Sequence, residues 1–261
     1  MRILLLSDIH ANLEAMEACL AAASSYDKVV NLGDVVGYGG SPNEVTDRVR
    51  KLGGVIVRGN HDRACTGQVD LQSFNPIAGM AALWTMRALT AANLAWLKAL
   101  PQGPLTLMTD DVAHAPAGDF GAVQIVHGSP LDEDDYIIVL RDAQEPLERT
   151  SARLTFFGHT HLQGGFAQAG QRWEALRPAY RSADKADSFD LTLHRDAKYL
   201  INPGSVGQPR DGDRRAAFAV FDTDNYTVTF HRVPYDIRKA QQHIFAARLP
   251  ERLAMRLAEG R

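Results

Sequence analysis

The apolar positions of this chain follow two rhythms. In the first half, short unbroken apolar runs alternate with stretches whose apolar residues recur every three or four positions. Residues 2–7, RILLLS, read as a fully buried strand. Leu13, Met16, Leu20 and Ala23 then share one helical face, which predicts an amphipathic helix over 11–23. KVVNLGD (28–34) is a second apolar strand that runs into the glycine-rich loop GDVVGYGG. SPNE marks the next helix start: Ser41 suits the N-cap, Pro42 the first helical position, and Glu44 completes a capping box. Val45, Val49 and Leu52 continue that helix on one face, and GVIVRG (54–59) is the third strand. This strand–helix alternation with continuously apolar strands predicts a mostly parallel sheet covered by helices.

The second half has another rhythm. Residues 76–99 are still helical in pattern, with Thr90 capping the second of two helices and Pro101 and Pro104 closing the region. Beyond them PLTLMT, VQIVHG, LTFFGHT, GGFAQAG, QRWEAL, KYLINPG, RAAFAVFD and YTVTFHRV are short runs with turn signals between them. They predict a strand-rich half with hairpins. A helical tail at 236–259, interrupted at Pro250, ends the chain. No low-complexity linker, repeat or domain boundary is visible. The simplest architecture is one α/β domain over 1–261 with two packed sheets and helices outside, a helical insert at 71–100 and the helical tail.

Composition narrows the classes. Hydrophobic residues make up 45% of the 261 positions and charged residues 23%, so a core of normal size is available. A formal net charge of −3 gives no support for bulk nucleic-acid binding. The run in MRILLLSD is stopped by Ser7 and Asp8, too soon for a signal peptide or a membrane span, and no other stretch approaches about 18 apolar residues. Cys19 and Cys65, without a secretory signal, read as reduced thiols. These features predict a soluble cytoplasmic protein with no membrane partner.

The chemistry sits where the apolar runs stop. They end in Asp8 and His10 (SDIH), Asp34 (GD), Asn60 and His61 (GNHD), His127 (VHG), and His159 and His161 (FGHTH). Ligands of open α/β sheets bind at the carboxyl ends of strands, so five such ends would gather these side chains into one cluster. Either D-x-H or H-x-H alone carries little information; five loops of this kind in one chain carry much more. His114, His194, His231 and His243 are scattered and read as structural.

SDIHAN, GDVVGYGG, RGNHD, VHGSP, FGHTH and NPGSVGQPRDGD, in this order, resemble the motifs of the calcineurin-like metallophosphoesterases. The small bacterial and archaeal branch is the more similar one; its members are described as phosphodiesterases, phosphatases or diadenosine tetraphosphate hydrolases. The tail VPYDIRKAQQHIFAARLPERLAMRL also looks like that branch. The resemblance implies a four-layer αββα sandwich with a dinuclear metal centre. It implies that Asp8, His10 and His161 hold one metal and Asn60, His127 and His159 the other. Asp34 would bridge both, beside a bridging water or hydroxide that attacks phosphorus in line. His61 would stand off the metals beside the substrate phosphate.

Elementary chemistry agrees with that implication. Two divalent ions clamp a displacement at phosphorus and lower the pKa of a bound water. Two such ions, the carboxylates Asp8 and Asp34, neutral imidazoles, a neutral Asn60 and one hydroxide leave the site near one positive unit. That surplus attracts phosphate, and an Asp at position 60 would cancel it. An oxygen and imidazole donor set favours Mn, Fe, Co, Ni or Zn and leaves the choice among them open. His61 suits a general acid for the leaving alkoxide or a hydrogen-bond donor to the phosphoryl oxygens, its ring held by Asp34 or Asp62. Arg210, in a glycine-rich loop, either meets a phosphate or pairs with an acid; Tyr38 either stacks on a base or packs. The acidic run LDEDDY (131–136) reads as a solvated loop, and residues 76–99 and 170–197 as a roof over the site. The expected activity is metal-dependent hydrolysis of phosphoric esters or anhydrides, by a phosphodiesterase or dinucleoside polyphosphate hydrolase acting on a small phosphorylated substrate. A phosphomonoesterase, a slowly hydrolysing nucleotide-binding regulator, and a protein-binding scaffold like the retromer subunit of this fold are the alternatives.

Overall fold

A computed structural model describes residues 1–23, 25–107 and 122–261. His114 and the end of the PLTLMT run lie outside the described residues. The first half runs β1 (Arg2–Leu6), α1 (Leu13–Ala22), β2 (Lys28–Asn31), α2 (Pro42–Leu52), β3 (Val55–Ile56), α3 (Asn60–Cys65), α4 (Pro76–Ala88) and α5 (Ala91–Lys98). The second half runs β4 (Leu105–Leu107), β5 (Val123–Ile125), α6 (Leu140–Arg149), β6 (Leu154–Phe156), β7 (Gly164–Ala169), β8 (Arg172–Leu176), β9 (Asp187–Thr192), β10 (Lys198–Asn202), β11 (Ala216–Asp222), β12 (Thr227–Val233), α7 (Ile237–Ala246) and α8 (Glu251–Glu259).

Two mixed six-stranded sheets result, ordered β3-β2-β1-β11-β12-β9 and β4-β5-β6-β10-β7-β8. β1, β2 and β3 are parallel in the first, and β5, β6 and β10 in the second. β1 is apolar throughout because both its faces are covered. Ile3 and Leu5 face the other sheet, meeting Ile125, Phe156 and Ile201, while Leu4 and Leu6 face Met16, Cys19, Val45 and Val49 of α1 and α2. On the far side Ala143 and Leu147 of α6 cover Val126, Phe157 and Leu200. The layers are helix, sheet, sheet, helix, as expected. Leu253, Ala254 and Leu257 of α8 pack with Tyr38 and Ala81, which brings the tail against the loop after β2.

Some local expectations need correction. The strand expected at 54–59 is short: Val57 still donates to Asn31 O (3.1 Å), but Arg58 N turns to Pro101 O (2.8 Å). The capping box at Ser41 does not form. Pro42 does open α2, but the Ser41 hydroxyl makes no cap bond and lies 3.3 Å from His243 Nδ1. Thr90 caps α5 as expected, its hydroxyl accepting from Asn93 N. α3, α6 and β9 fall where no element was expected. The acidic run is not simply solvated. Glu133 is buried, paired with Arg58 (2.5 Å) and near Arg63 (3.5 Å). Cys19 and Cys65 are free and buried. Among the described residues no helix is long and apolar enough to cross a membrane.

Candidate metal centre

The parallel strands of the two sheets point their carboxyl ends at one place, and the loops that follow carry the polar residues. The turns are sharp. Asp8, His10, Asp34, Tyr38, His159 and His161 all have φ between 50° and 65°, left-handed values that cost a non-glycine residue about 1–2 kcal/mol each. Such outliers persist where the surroundings over-determine them. Here the surroundings are interloop hydrogen bonds. Asp8 N donates to Gly33 O (3.0 Å), His10 N to Asp34 O (3.0 Å), and Gly158 N to His127 O (2.7 Å). Close approach also demands glycine. A Cβ on Gly59 would lie 2.1 Å from Asp34 Oδ1, and one on Gly158 would lie 2.0 Å from Ser7 Oγ.

Two donor groups share Asp34. One holds Asp8, His10, Asp34 and His161, the other Asp34, His127 and His159; within each, the donor atoms lie within 4.8 Å of one another, and all are buried. Asp34 Oδ2 faces both sides, 3.6 Å from His10 Nε2 and 3.4 Å from His127 Nε2. Asn60 joins the second group, with Oδ1 3.2 Å from His127 Nε2.

The tautomers are fixed from outside. The Nδ1 atoms of His10, His127 and His161 face the carbonyls of Val36 (3.1 Å), Leu32 (2.8 Å) and Gln208 (2.6 Å). A carbonyl only accepts, so each Nδ1 carries the proton and each Nε2 presents a lone pair. His159 is the reverse: its Nε2 donates to Asp134 O (3.0 Å) and Nδ1 faces inward. When the rings are neutral, lone pairs confront each other, His10 Nε2 with His161 Nε2 at 3.1 Å and His159 Nδ1 with His127 Nε2 at 3.1 Å. Asp8 Oδ1 is buried without a hydrogen-bond partner, 3.2 Å from His161 Nε2. Lone pairs and a bare carboxylate oxygen facing one another fit cations, so the donor set is compatible with a divalent metal centre.

Electrostatics in the metal-free protein keep two of these histidines neutral. Burial, with the charge of Arg210, holds His161 below the usual histidine range, and burial and His127 push His159 down to about 3. Both are neutral donors at pH 7. His127 is the exception: against its burial, the charge of Asp34 raises it to about 10, so at pH 7 without metal its Nε2 holds a proton, near Asp34 and Asn60, that a cation would displace. Asp34 is correspondingly held low against its burial, by His127 first.

His61 lies in the cluster's wall. Its ring is 5.0 Å from that of His10, 4.3 Å from that of Tyr38 and edge-on to Phe74 at 5.5 Å. Neither carboxylate expected to hold the ring does so. Asp34 Oδ1 accepts instead from the His61 backbone N–H (2.8 Å). Asp62 accepts from three backbone amides, of Asp34 (2.9 Å), Gly59 (3.0 Å) and Val36 (3.2 Å), and so clasps the loops after β2 and β3. His61 Nδ1 is left buried without a partner. Burial lowers its pKa to about 4 against the pull of Asp34. Arg210 pairs with no acid among the described residues, and its Nη2 reaches Tyr38 Oη (3.4 Å) and Gln208 Oε1 (3.3 Å).

Sequence reasoning missed Tyr136, whose ring stacks on that of His159 at 3.8 Å. It sits in an acidic run with no apolar periodicity, so nothing local marked it. Of the roof, Ile77 and Ala78 line the cavity beside Tyr38 and Tyr136, whereas no residue of 170–197 does.

Known proteins resemble this chain in sequence and fold. The uncharacterized protein MJ0912 of Methanocaldococcus jannaschii is 35% identical over 261 residues, covering 99% of this chain and 98% of its own. The crystal structure of a metallophosphoesterase from Sphaerobacter thermophilus matches with a TM-score of 0.81 at 39% identity, covering 100% of this chain and 99% of that one. The hypothetical protein PH1004 of Pyrococcus horikoshii OT3 has the same fold, with a TM-score of 0.76 at 18% identity over 100% and 98% of the two chains. The description of the calcineurin-like phosphoesterase superfamily domain matches residues 1–226, a span that contains every residue of the cluster, and the chain belongs to that superfamily.

Proposed function

We propose that this chain is a metal-dependent phosphoesterase with a dinuclear centre, acting as a phosphodiesterase or a dinucleoside polyphosphate hydrolase on a small phosphorylated substrate in the cytoplasm. The observation that carries the reading is the convergence of buried imidazole nitrogens and carboxylate oxygens in two groups that share Asp34. In this reading Asp8, His10 and His161 hold one ion, Asn60, His127 and His159 the other, and Asp34 both. The ions, drawn from Mn, Fe, Co, Ni and Zn, would supply an acidified water and a clamp on charge developing at phosphorus.

The chain's own groups do the rest. Asn60 contributes an oxygen without charge, so the site keeps its positive surplus. Arg210, free of any acid, offers its guanidinium to phosphate oxygens. His61 has an unpartnered ring nitrogen beside the cluster, suited to donate a hydrogen bond to a phosphoryl oxygen or a proton to the leaving alkoxide. Tyr38, against the rings of His10 and His61, shapes the wall that the substrate meets.

The test is metal-stripped protein resupplied singly with Mn, Fe, Co, Ni or Zn. Substrates are a chromogenic phosphodiester, a phosphomonoester, cyclic nucleotides and diadenosine tetraphosphate. Hydrolysis of the diester or the dinucleotide should return with at least one metal, and His61→Ala should lower kcat by about 10²–10⁴. Silence with every metal, or a His61→Ala variant equal to wild type on every substrate, would end the catalytic reading.

A further inference from the structure

The C-terminal helix turns a second set of charges toward the candidate metal centre. The residues lining a cavity of about 420 Å³ include Arg210, Arg252, Arg256, Arg261, Tyr38 and Tyr136, and no carboxylate side chain among the described residues lines it. Its tyrosines are the ones that touch the cluster: Tyr38 lies 4.7 Å from the His10 ring and Tyr136 lies 3.8 Å from the His159 ring. The cavity therefore abuts the reaction site.

Among the described residues the arginines in it have no acidic side chain as partner. Arg210 and Arg256 both face the Tyr38 ring, at 5.7 and 5.8 Å. Among the described residues none of Arg210, Arg252 and Arg256 forms an ion pair with a carboxylate side chain. The Nε of Arg210 is buried without a partner, and that of Arg256 donates to the main-chain oxygen of Arg261 (2.9 Å). Elsewhere this protein pairs its buried arginines: Arg215 holds Asp213 (2.5 Å) and Arg232 holds Asp211. Burial and the neighbouring charge of Arg210 push Arg256 below its usual range. Guanidinium groups gathered against one ring repel one another, and an anion among them removes that repulsion.

We propose that this cavity is a subsite for the uncleaved phosphates of a substrate built from linked phosphates, with Arg252 and Arg256 of α8 and Arg210 as its donors. The proposal rests on the metallophosphoesterase reading and deepens it. The superfamily domain match ends at residue 226, so the arginines of α8 lie outside that domain match, although the likeness to MJ0912 and to the Sphaerobacter structure runs on through the tail. The subsite is thus a specificity device of the tail. Its ligand class is an oligophosphate, in which a phosphate at the cluster places the next ones among the arginines. A single phosphate at the cluster would leave Arg252 and Arg256 unused.

The test is calorimetric titration of the full chain, as purified and after chelator treatment, with inorganic tripolyphosphate and with orthophosphate. Tripolyphosphate should bind wild type at least about tenfold more tightly than orthophosphate. Arg252→Ala with Arg256→Ala should weaken tripolyphosphate by roughly 10–100-fold and orthophosphate by much less, with Arg256→Lys between. Arg252 is exposed, so Arg252→Ala alone tests the point if the double variant misfolds; circular dichroism checks this. Equal binding of the two anions by wild type, or the same loss for both in the variants, would overturn the subsite. A chain that discriminates through these arginines but hydrolyses no ester with any metal keeps the subsite and sinks the catalytic reading. A chain that hydrolyses a simple diester without discriminating sinks the subsite alone.

Discussion

If the proposed dinuclear centre holds, Asp34→Asn is expected to cost one of its two metals and with it nearly all turnover. The two oxygens of Asp34 have separate jobs. Oδ1 accepts from the His61 backbone N–H at 2.8 Å, and Oδ2 faces His10 Nε2 and His127 Nε2. An Asn that keeps the bond to His61 must turn its NH₂ toward the cluster, where two hydrogens would replace the lone pairs a cation needs. An Asn flipped the other way sets NH₂ against N–H. Loss of an outer-shell partner costs 10–100-fold in metal affinity, so loss of a shared donor should cost more than about 100-fold. Elemental analysis after dialysis, with diester hydrolysis alongside, reads both effects. Two tightly held ions in the variant would remove Asp34 from its proposed role.

The largest effect on stability should come from Asp62→Ala. Asp62 is buried and supplies the acceptor for the amides of Asp34, Val36 and Gly59. Hydrogen bonds to a charged group are worth about 1.5–3 kcal/mol each, and a buried amide left without an acceptor is costly. The carboxyl is itself disfavoured by burial and by the charge of Asp34, which raise its pKa to about 7. The net loss should therefore be about 3 kcal/mol, below the sum of three charged bonds. Asp62→Asn keeps one acceptor oxygen and should lose less. Urea denaturation of the metal-free variants measures this, and an Asp62→Ala midpoint equal to wild type would show that the clasp is idle.

The residues of the cluster were legible because each follows an apolar run whose burial the sequence already implies. Asp8, Asp34, His127 and His159 stand two or three residues past strand ends, where chain order alone predicts convergence. The long-range partners were not legible. That Asp62 would take backbone amides rather than the His61 ring depends on how the loops after β2 and β3 approach, which no local pattern encodes. α6 was hidden by Pro146 inside LRDAQEPLER, a signal that ordinarily ends a helix, although Ala143 and Leu147 face the core. β9 is an edge strand with one half-buried face, and its DSFDLT pattern sits among turn residues. In α8, Arg252 and Arg256 look like a solvated helix face until the helix is seen lying on Tyr38.

The left-handed turns at Asp8, His10, Asp34, His159 and His161 have a consequence for the order of folding. The hydrophobic clusters between the layers can close on sequence preferences that agree with the final structure, whereas at these turns local preference and final structure disagree. The ligand loops are thus the frustrated part of the landscape, settled only after the sheets on which they stand. Cations that reach the chain early have no cage to enter; cations that arrive late complete one. Hydrogen exchange should show this as slow amides in β1 with or without metal, and amides from Asp34 to Gly39 that slow down only when metal is supplied.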